Sequence, residues 1–506
     1  DDGEDDALAR SVPPEVLDDA HTLARRLDTL APGWRAGDVE GRYEAIQEIV
    51  GAAVVAPGAS RNPRRDALDR VFTHRVFGLI LFVVLMGAVF QSVFAWAQPA
   101  MDVIDAAVGR FGHLVEGVMP AGPLRSLLVD GGVAGVGTTL TFVPQIAILF
   151  FFLSVLEDTG YMARAAFIMD RVMGRVGLSG RAVIPLLSSF ACAIPGIMAT
   201  RTIDNRRDRI TTILIAPFMS CSSRLPVYAL LIGAFVPNRW VGFVTLPGMA
   251  LFSMYFLGIV AAIVVAAVLK RTVLAGGRPL YVMELPPYRM PSWRSVLLTV
   301  RERSWLFVRN AGTVILAVTV VLWFLASYPR GGPEVRALET ERAAALATGD
   351  VARARALDRQ IAGTTLEHSF AGRFGRFLEP GIAPLGYDWR IGIGLVTSLA
   401  AREVMVSTMA TMFNLGDARD DVVPLRESLR RATDPRTGRR SYSPLTGISL
   451  MVFFALACQC MSTVAVVRRE TNSWRWPLFM LVMMNALAWL ASYAVYQGGR
   501  ALGFGT

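Results

Sequence analysis

Residues 188–207 read SSFACAIPGIMATRTIDNRR, and residues 454–474 read FALACQCMSTVAVVRRETNSW. Each sets an Ala-Cys pair in a run of small apolar residues, followed closely by a basic cluster. Upstream of each lies an apolar segment with an acidic residue, Glu157 before the first and Glu403 before the second. Two halves with interrupted apolar segments at matching places are the sequence sign of a transporter whose site lies between repeats. The competing reading is chance, since small apolar motifs recur in any membrane chain. The expected fold is an all-α polytopic membrane bundle with two inverted repeats and broken or re-entrant helices.

The rest of the sequence supports that class. Its 506 residues are 53% hydrophobic with mean hydropathy +0.44, above the roughly 45–50% of ordinary soluble domains. The excess gathers at 77–96, 138–156, 241–269, 306–328, 391–413, 445–467 and 474–496, runs near the ~20 residues that cross a bilayer. About eight clear spans are expected, besides broken segments such as the proline-interrupted 182–199 and 210–236 that dip in and return. The stretch from Pro99 to Asp130 is too interrupted by Gly and Pro for a clean span. Residues 161–176 carry Arg164, Arg171 and Arg175 at helical intervals, which predicts a helix along the interface.

Four regions follow: a soluble helical segment at 1–60, with helices expected at 18–30 and 40–55; a first membrane half at 61–328; an extramembrane insert at 329–385, with a helical hairpin inside 330–370; and a second membrane half at 386–506. Net charge is +10, and Lys270 is the only lysine. Arg61, Arg64, Arg65, Arg70 and Arg75 precede the first span. Lys270, Arg271, Arg278, Arg289, Arg294, Arg301 and Arg303 fill one later loop. Such clusters mark cytoplasmic loops, so the N-terminus is expected in the cytoplasm. The aromatics sit inside apolar runs rather than among the arginines, which argues against nucleic-acid binding.

The first residues, DDGEDDALAR, are acidic and form no signal peptide; starting at Asp1, the chain reads as a piece that has lost something upstream. No G-x-x-x-x-G-K-[S/T] loop occurs, so no nucleotide chemistry of the P-loop kind is expected. There is no H-E-x-x-H, and His21, His74, His113 and His368 are scattered outside the strong spans, which argues against a metalloprotease.

The candidate ligands are Cys192, Cys221, Cys458 and Cys460, each beside a helix breaker, a small polar residue or a second sulfur. A lone thiol in a span is ordinarily filler, but sulfur with oxygen donors suits soft or borderline cations such as divalent iron. No Cys-x-x-Cys or Cys–His spacing points to structural zinc. Met198 and Met461 read either as packing or as auxiliary ligands. Glu157, with Asp158, and Glu403, beside Arg402, read either as headgroup or ion-pair partners or as way stations for a cation, because buried charge is placed where it pairs or meets water. Pro144, Pro185, Pro195, Pro217 and Pro226 free backbone carbonyls inside apolar segments. Such carbonyls are tolerated only against protein or a wet cavity, so these prolines are expected at helix breaks with a gating role or at plain kinks.

These motifs resemble a known family. LEDTGYMARAAFIMDRVM, GLSGRAVIPLLSSFACAIPGIMATRTI and RRDRITTILIAPFMSCSSRLPVYALLIGAF resemble the first Gate domain of ferrous iron transport protein B, here about 138–270. AAREVMVSTMATMFN and LACQCMSTVAVVRRETNSW resemble its second, and FQSVFAWAQPAMD and PLGYDWRIG resemble other family segments. The resemblance spans about 40–500. It implies a multi-pass permease of the bacterial inner membrane with Fe2+ as the transported ion. It also implies control by an N-terminal GTP-binding domain, using GTP and Mg2+, which this chain lacks, so that residues 1–60 are the tail of a helical spacer. Small cytosolic accessory proteins and a homo-oligomer are further implied partners. Cys192 and Cys458 fall in the motifs that the family suggests line the iron path, with Cys221, Cys460, Glu157 and Glu403 in neighbouring motif positions. Cys192 and Cys458 are expected to meet near mid-membrane. The alternatives are a Gate-type carrier of a nucleoside or other organic solute, and a non-transporting thiol protein or scaffold.

Overall fold

The computed structural model describes residues 34–53, 69–74, 76–120, 122–242, 244–275, 287–329, 332–415, 423–433 and 441–503, with scattered positions from 13 to 30. Most of the helix expected at 18–30, and Arg61, Arg64, Arg65, Arg75 and Arg278, lie outside the described residues. The expected helix at 40–55 is found as α1, Trp34–Ala53, which belongs to a separate unit, Asp1–Arg70 with Leu280–Val282. The other unit, Val71–Pro279 with Met283–Thr506, is a helical bundle. Among the described residues, seven helical segments are long and apolar enough to cross a membrane.

The first crossing is α2, Phe77–Val118, a single helix of 42 residues that runs straight through Pro99. The span was expected to stop at residue 96. Pro99 costs one backbone bond, but Met101, Ile104 and Val108 continue an inward stripe at helical spacing beyond it. The second crossing, Pro123–Asp158, contains α3, Ala134–Thr141, and α4, Val143–Asp158. Pro144 sits in the first turn of α4, where its missing N–H would have had no partner. Then comes α5, Tyr161–Val176, flanked by left-handed Gly160 and Gly177.

Arg164 of α5 was expected at the interface and is instead fully buried. Its Nη1 donates to Gly160 O at 2.8 Å, and its guanidinium lies 3.7 Å from the centre of the Tyr288 ring.

The broken segments come next. They are α6, Val183–Ala191, with α7, Ala193–Ala199, and α8, Arg206–Ile215, with α9, Leu225–Phe235. After a two-residue antiparallel ladder at Trp240–Val241 and Val244–Thr245, α10, Leu246–Arg271, crosses beside the unwound stretch between α8 and α9. Gly258 makes that possible, because a Cβ there would stand 2.6 Å from Phe218 O. Small residues at such crossings are how membrane helices approach closely.

Part of the basic loop expected to reach residue 305 is helical. Among its residues, α11, Trp293–Phe307, continues through a π-helical turn, Val308–Gly312, into α12, Thr313–Ser327. Val296 and Val300 face inward while Arg294 and Arg301 are exposed on the other side and Arg303 is half-buried, so the segment is an amphipathic extension of the span. The expected hairpin is present as α13, Pro333–Ala347, and α14, Val351–His368, packed through Ala345, Ala354 and Leu357.

Next, α15, Phe370–Ile382, leads to α16, Trp389–Thr397, and α17, Val404–Met412. The span expected at 391–413 is therefore two half-helices. Arg402 and Glu403 fall in the gap, where the backbone is free to bring them to partners. Arg426 and Arg430 of α18, Val423–Arg431, cap the C-terminal carbonyls of α9, at Ala229 O, Gly233 O and Ala234 O. The chain ends with α19, Pro444–Leu456, α20, Met461–Thr471, and α21, Arg475–Ala501. Ser449 and Ser492 each donate to the other's carbonyl, joining α19 to α21.

Candidate metal path at the broken helices

Three of the four cysteines sit at helix starts created by the breaks. Cys192 has an extended backbone (φ −156, ψ 133), closes α6 and opens α7. Cys221 opens the 3-10 turn Ser222–Arg224, and Cys460 opens α20. Cys458 lies two residues earlier in the same gap and is fully buried. All four are free thiols.

The two halves hold their breaks open in the same way. In the first, Ser222 Oγ donates to Ala191 O at 3.3 Å. In the second, Arg402 Nη2 donates to Ala457 O at 3.3 Å. Each accepting carbonyl belongs to the residue before a cysteine, the alanine of an Ala-Cys pair. The gaps of the second half are also tied together by Met461 N donating to Leu399 O at 3.2 Å. Arg224 is fully buried and braces the unwound stretch, donating to Pro217 O, Phe218 O and Ser220 Oγ at 3.0–3.2 Å.

The thiols of the two halves share one environment. Cys192 feels the charges of Cys221, Cys460 and Arg402, and Cys458 feels those of Arg402 and Cys460. Cys192 is thus within electrostatic range of Cys460 and Arg402 of the second half. Around them, Arg402 Nε and Nη1, Gln459 Oε1 and Ser462 Oγ are buried without a hydrogen-bond partner. Polar atoms left so in a packed interior carry a cost that an ion or water removes. Among the described residues no three His, Cys, Asp or Glu side chains converge tightly enough to hold a metal ion.

A cavity of about 560 Å³ adjoins this centre. Its lining includes Asp102 and Asp105 of α2, Gln145 of α4, Ser222 and Ser223 beside Cys221, and Glu403. Cys221 Sγ lies 3.1 Å from Ser223 Oγ, so the cavity floor and the thiol are in contact.

The other candidates fall apart from this centre. Glu157 is exposed at the far end of α4, about 18 Å along the helix from Gln145. Met198 is buried in the apolar core, and Met461 lines a separate apolar groove with Phe370 and Leu399. Pro195 and Pro226 lie in the first turns of α7 and α9, and Pro217 in the 3-10 turn Ala216–Phe218. The prolines thus start helices after breaks. The two second-half gaps contain none.

Away from the thiols, Glu470 of α20 joins the halves. Its carboxylate accepts from Arg201 at 2.6–3.1 Å and from Arg209 at 3.1 Å. Those bonds to Glu470 hold the Arg201 guanidinium above its ordinary value.

Sequence reasoning missed Arg224, Asp102 and Asp105. A signal for Arg224 existed: Ser220-x-x-x-Arg224 and Ser398-x-x-x-Arg402 occur once in each half, at the break without the Ala-Cys pair. Asp102 and Asp105 were hidden by ending the first span before Pro99.

The Gate family, described as nucleoside recognition, matches residues 139–235 and 308–474, just over half of the chain and all four gaps. The family described as ferrous iron transport protein B C terminus matches residues 251–303. An Fe(2+) transporter FeoB of Leptospira biflexa is 42% identical over 91% of this chain and 63% of its own length. One from Staphylococcus aureus is 36% identical over 91% and 63%. A Porphyromonas gingivalis protein named Fe(2+) transport protein A/Fe(2+) transporter FeoB fusion protein is 38% identical over 97% and 57%. The chain thus spans somewhat under two thirds of the length of these relatives. No solved structure matches it. With Gate sequence over both sets of broken helices and the ferrous iron C-terminal segment between them, the chain belongs to the ferrous iron transport protein B family, as a Gate-containing membrane portion.

Proposed function

We propose that this chain is the permease core for ferrous iron uptake across the bacterial inner membrane. The observation that carries the reading is the placement of Cys192, Cys221 and Cys460 at helix breaks in both halves, with a cavity lined by carboxylates and hydroxyls beside Cys221. An ion entering there exchanges water for oxygen donors and then for sulfur, in sites too open to trap it. Borderline-soft Fe2+ accepts both donor types, whereas Mg2+ and Ca2+ do not favour sulfur. Relatives named as Fe(2+) transporters support the choice of ion.

With a cytoplasmic N-terminus, seven crossings place Arg201, Arg289 and Arg469 on the inside, as the positive-inside rule asks. Asp102 then lies roughly 38 Å up α2 from Phe77, so the cavity faces the outer half of the membrane. The Arg201–Glu470 contact becomes the inner closure between halves. Control of that closure by a GTP-binding domain with GTP and Mg2+ fits the length of the relatives beyond this chain. The Porphyromonas fusion supports a small transport-protein-A-like partner on the same side. A homo-oligomer remains part of the proposal.

The Gate description names nucleoside recognition. A nucleoside needs flat stacking surfaces, and Phe142 is the one aromatic among the described residues lining the cavity. The test is Fe2+ flux into proteoliposomes carrying the chain with its family's GTP-binding portion. Cys192, Cys221, Cys458 and Cys460 all changed to serine should abolish flux with insertion intact. Undiminished iron flux, or nucleoside flux in its place, overturns the reading.

A further inference from the structure

We infer that the groove between α12 and α15 is a binding site for one bilayer phospholipid, with an acyl chain in the groove and the lipid phosphate on Arg373. The inference needs only a chain that spans a membrane, and is independent of the solute carried.

The groove has a volume of about 860 Å³. One wall is α12, from Ala317 to Leu325, and another is α15, through Phe370, Phe374 and Phe377. These three phenylalanines are spaced i, i+4 and i+7 and so share one helix face. Phe374, Phe377 and, on the α12 wall, Val321 are exposed, so the groove opens away from the bundle core. Among the described residues lining it, Arg373 alone is charged.

That charge sits at one end. Phe370 N donates to Tyr328 O at 2.7 Å, just past the last turn of α12, and the Phe370 and Phe324 rings stack with centres 6.1 Å apart. The Arg373 guanidinium lies 5.8 Å from the centre of the same Phe370 ring. From this end the apolar wall runs about 12 Å along α12, from Leu325 to Ala317. Among the described residues no carboxylate pairs with Arg373, whereas Arg376 is held by Glu367 at 3.0 Å. A cation at the end of a span, with a long apolar slot below it, complements an anionic head joined to a hydrocarbon tail. An apolar helix face alone would fill the slot and leave the cation unmatched.

The deep wall gives the site a consequence. Leu399 and Met461 line it, and the bond from Met461 N to Leu399 O at 3.2 Å ties the two second-half gaps together. An acyl chain in the groove therefore packs directly on the second-half breaks from the lipid side.

The probe is phosphatidylglycerol added to the whole chain in detergent, with adducts read by native mass spectrometry. Diacylglycerol with the same acyl chains is the phosphate-free comparison. The chain should retain one phosphatidylglycerol, and should hold diacylglycerol more weakly. Arg373→Gln should weaken phosphatidylglycerol about fivefold, the worth of one arginine beside an anionic lipid surface, and leave diacylglycerol unchanged. Val321→Trp, which plugs the groove from an exposed position, should weaken both by about tenfold or more. Both positions are exposed, so thermal unfolding should match the parent chain. Equal retention of the two lipids, or phosphatidylglycerol retention that neither variant changes, overturns the inference. So does a groove filled by a second copy of this chain, seen as dimers that Val321→Trp dissociates.

Discussion

Cys192→Ser is expected to weaken Fe2+ binding to this chain by roughly a hundredfold. Loss of a group that merely supports a ligand costs about 10–100-fold in metal affinity, and a thiolate in direct contact belongs at or above that upper end. Cys192 is singled out because it forms the break between α6 and α7, within electrostatic range of Cys221 in its own half and Cys460 in the other. Serine keeps its shape at the hinge between α6 and α7, so packing is conserved while the soft donor is lost. Met461→Leu is the matched control. Met461 lines an apolar groove rather than the polar cavity, and its removal should move affinity by less than about twofold, within the scatter expected of a packing change. Anaerobic competition titrations on the solubilised chain measure both. Equal affinities for Cys192→Ser and the parent chain would remove sulfur from the path.

Lys270→Met is expected to destabilise the bundle by about 3–5 kcal/mol, the cost of leaving one member of a buried ion pair alone. Lys270 ends α10 and meets Asp208 of α8, with side chains 7% and 0% exposed. Asp208 Oδ2 is already without a partner, so the carboxylate has no second cation to turn to. The double change Lys270→Met with Asp208→Asn should recover most of the loss, because replacing both charges removes the unpaired one. Thermal unfolding in detergent, followed by circular dichroism, measures the series. A single variant as stable as the parent would mean that the pair is not sealed from water.

The broad architecture was legible because it follows from length and patterning. Long apolar runs, basic flanks and the hairpin at 333–368 need no tertiary information. The breaks were legible only in part. Pro195 and Pro226 marked two of them, yet Cys192 itself carries the first turn of the path, and the gaps at 398–403 and 457–460 contain no proline. There, small residues and a charged pair let the helix end, and hydrogen bonds between the gaps, one from the Arg402 side chain and one from the Met461 backbone, hold them open. Such a stop depends on contacts remote in sequence, which hydropathy cannot register. Pro99 misled in the opposite sense: a breaker by local rules, it is overridden by an inward stripe that continues past it. That single error hid Asp102 and Asp105, and with them the carboxylate lining of the cavity beside Ser222 and Ser223. Glu157 was chosen by motif position, but helix length carries it away from the thiols.

The most direct test of the account is iron K-edge X-ray absorption on the Fe2+-loaded chain, kept anaerobic. Sulfur in the first coordination shell, replaced by oxygen when Cys192, Cys221 and Cys460 are changed to serine, is the predicted result. A first shell of oxygen and nitrogen alone in the unaltered chain would contradict it.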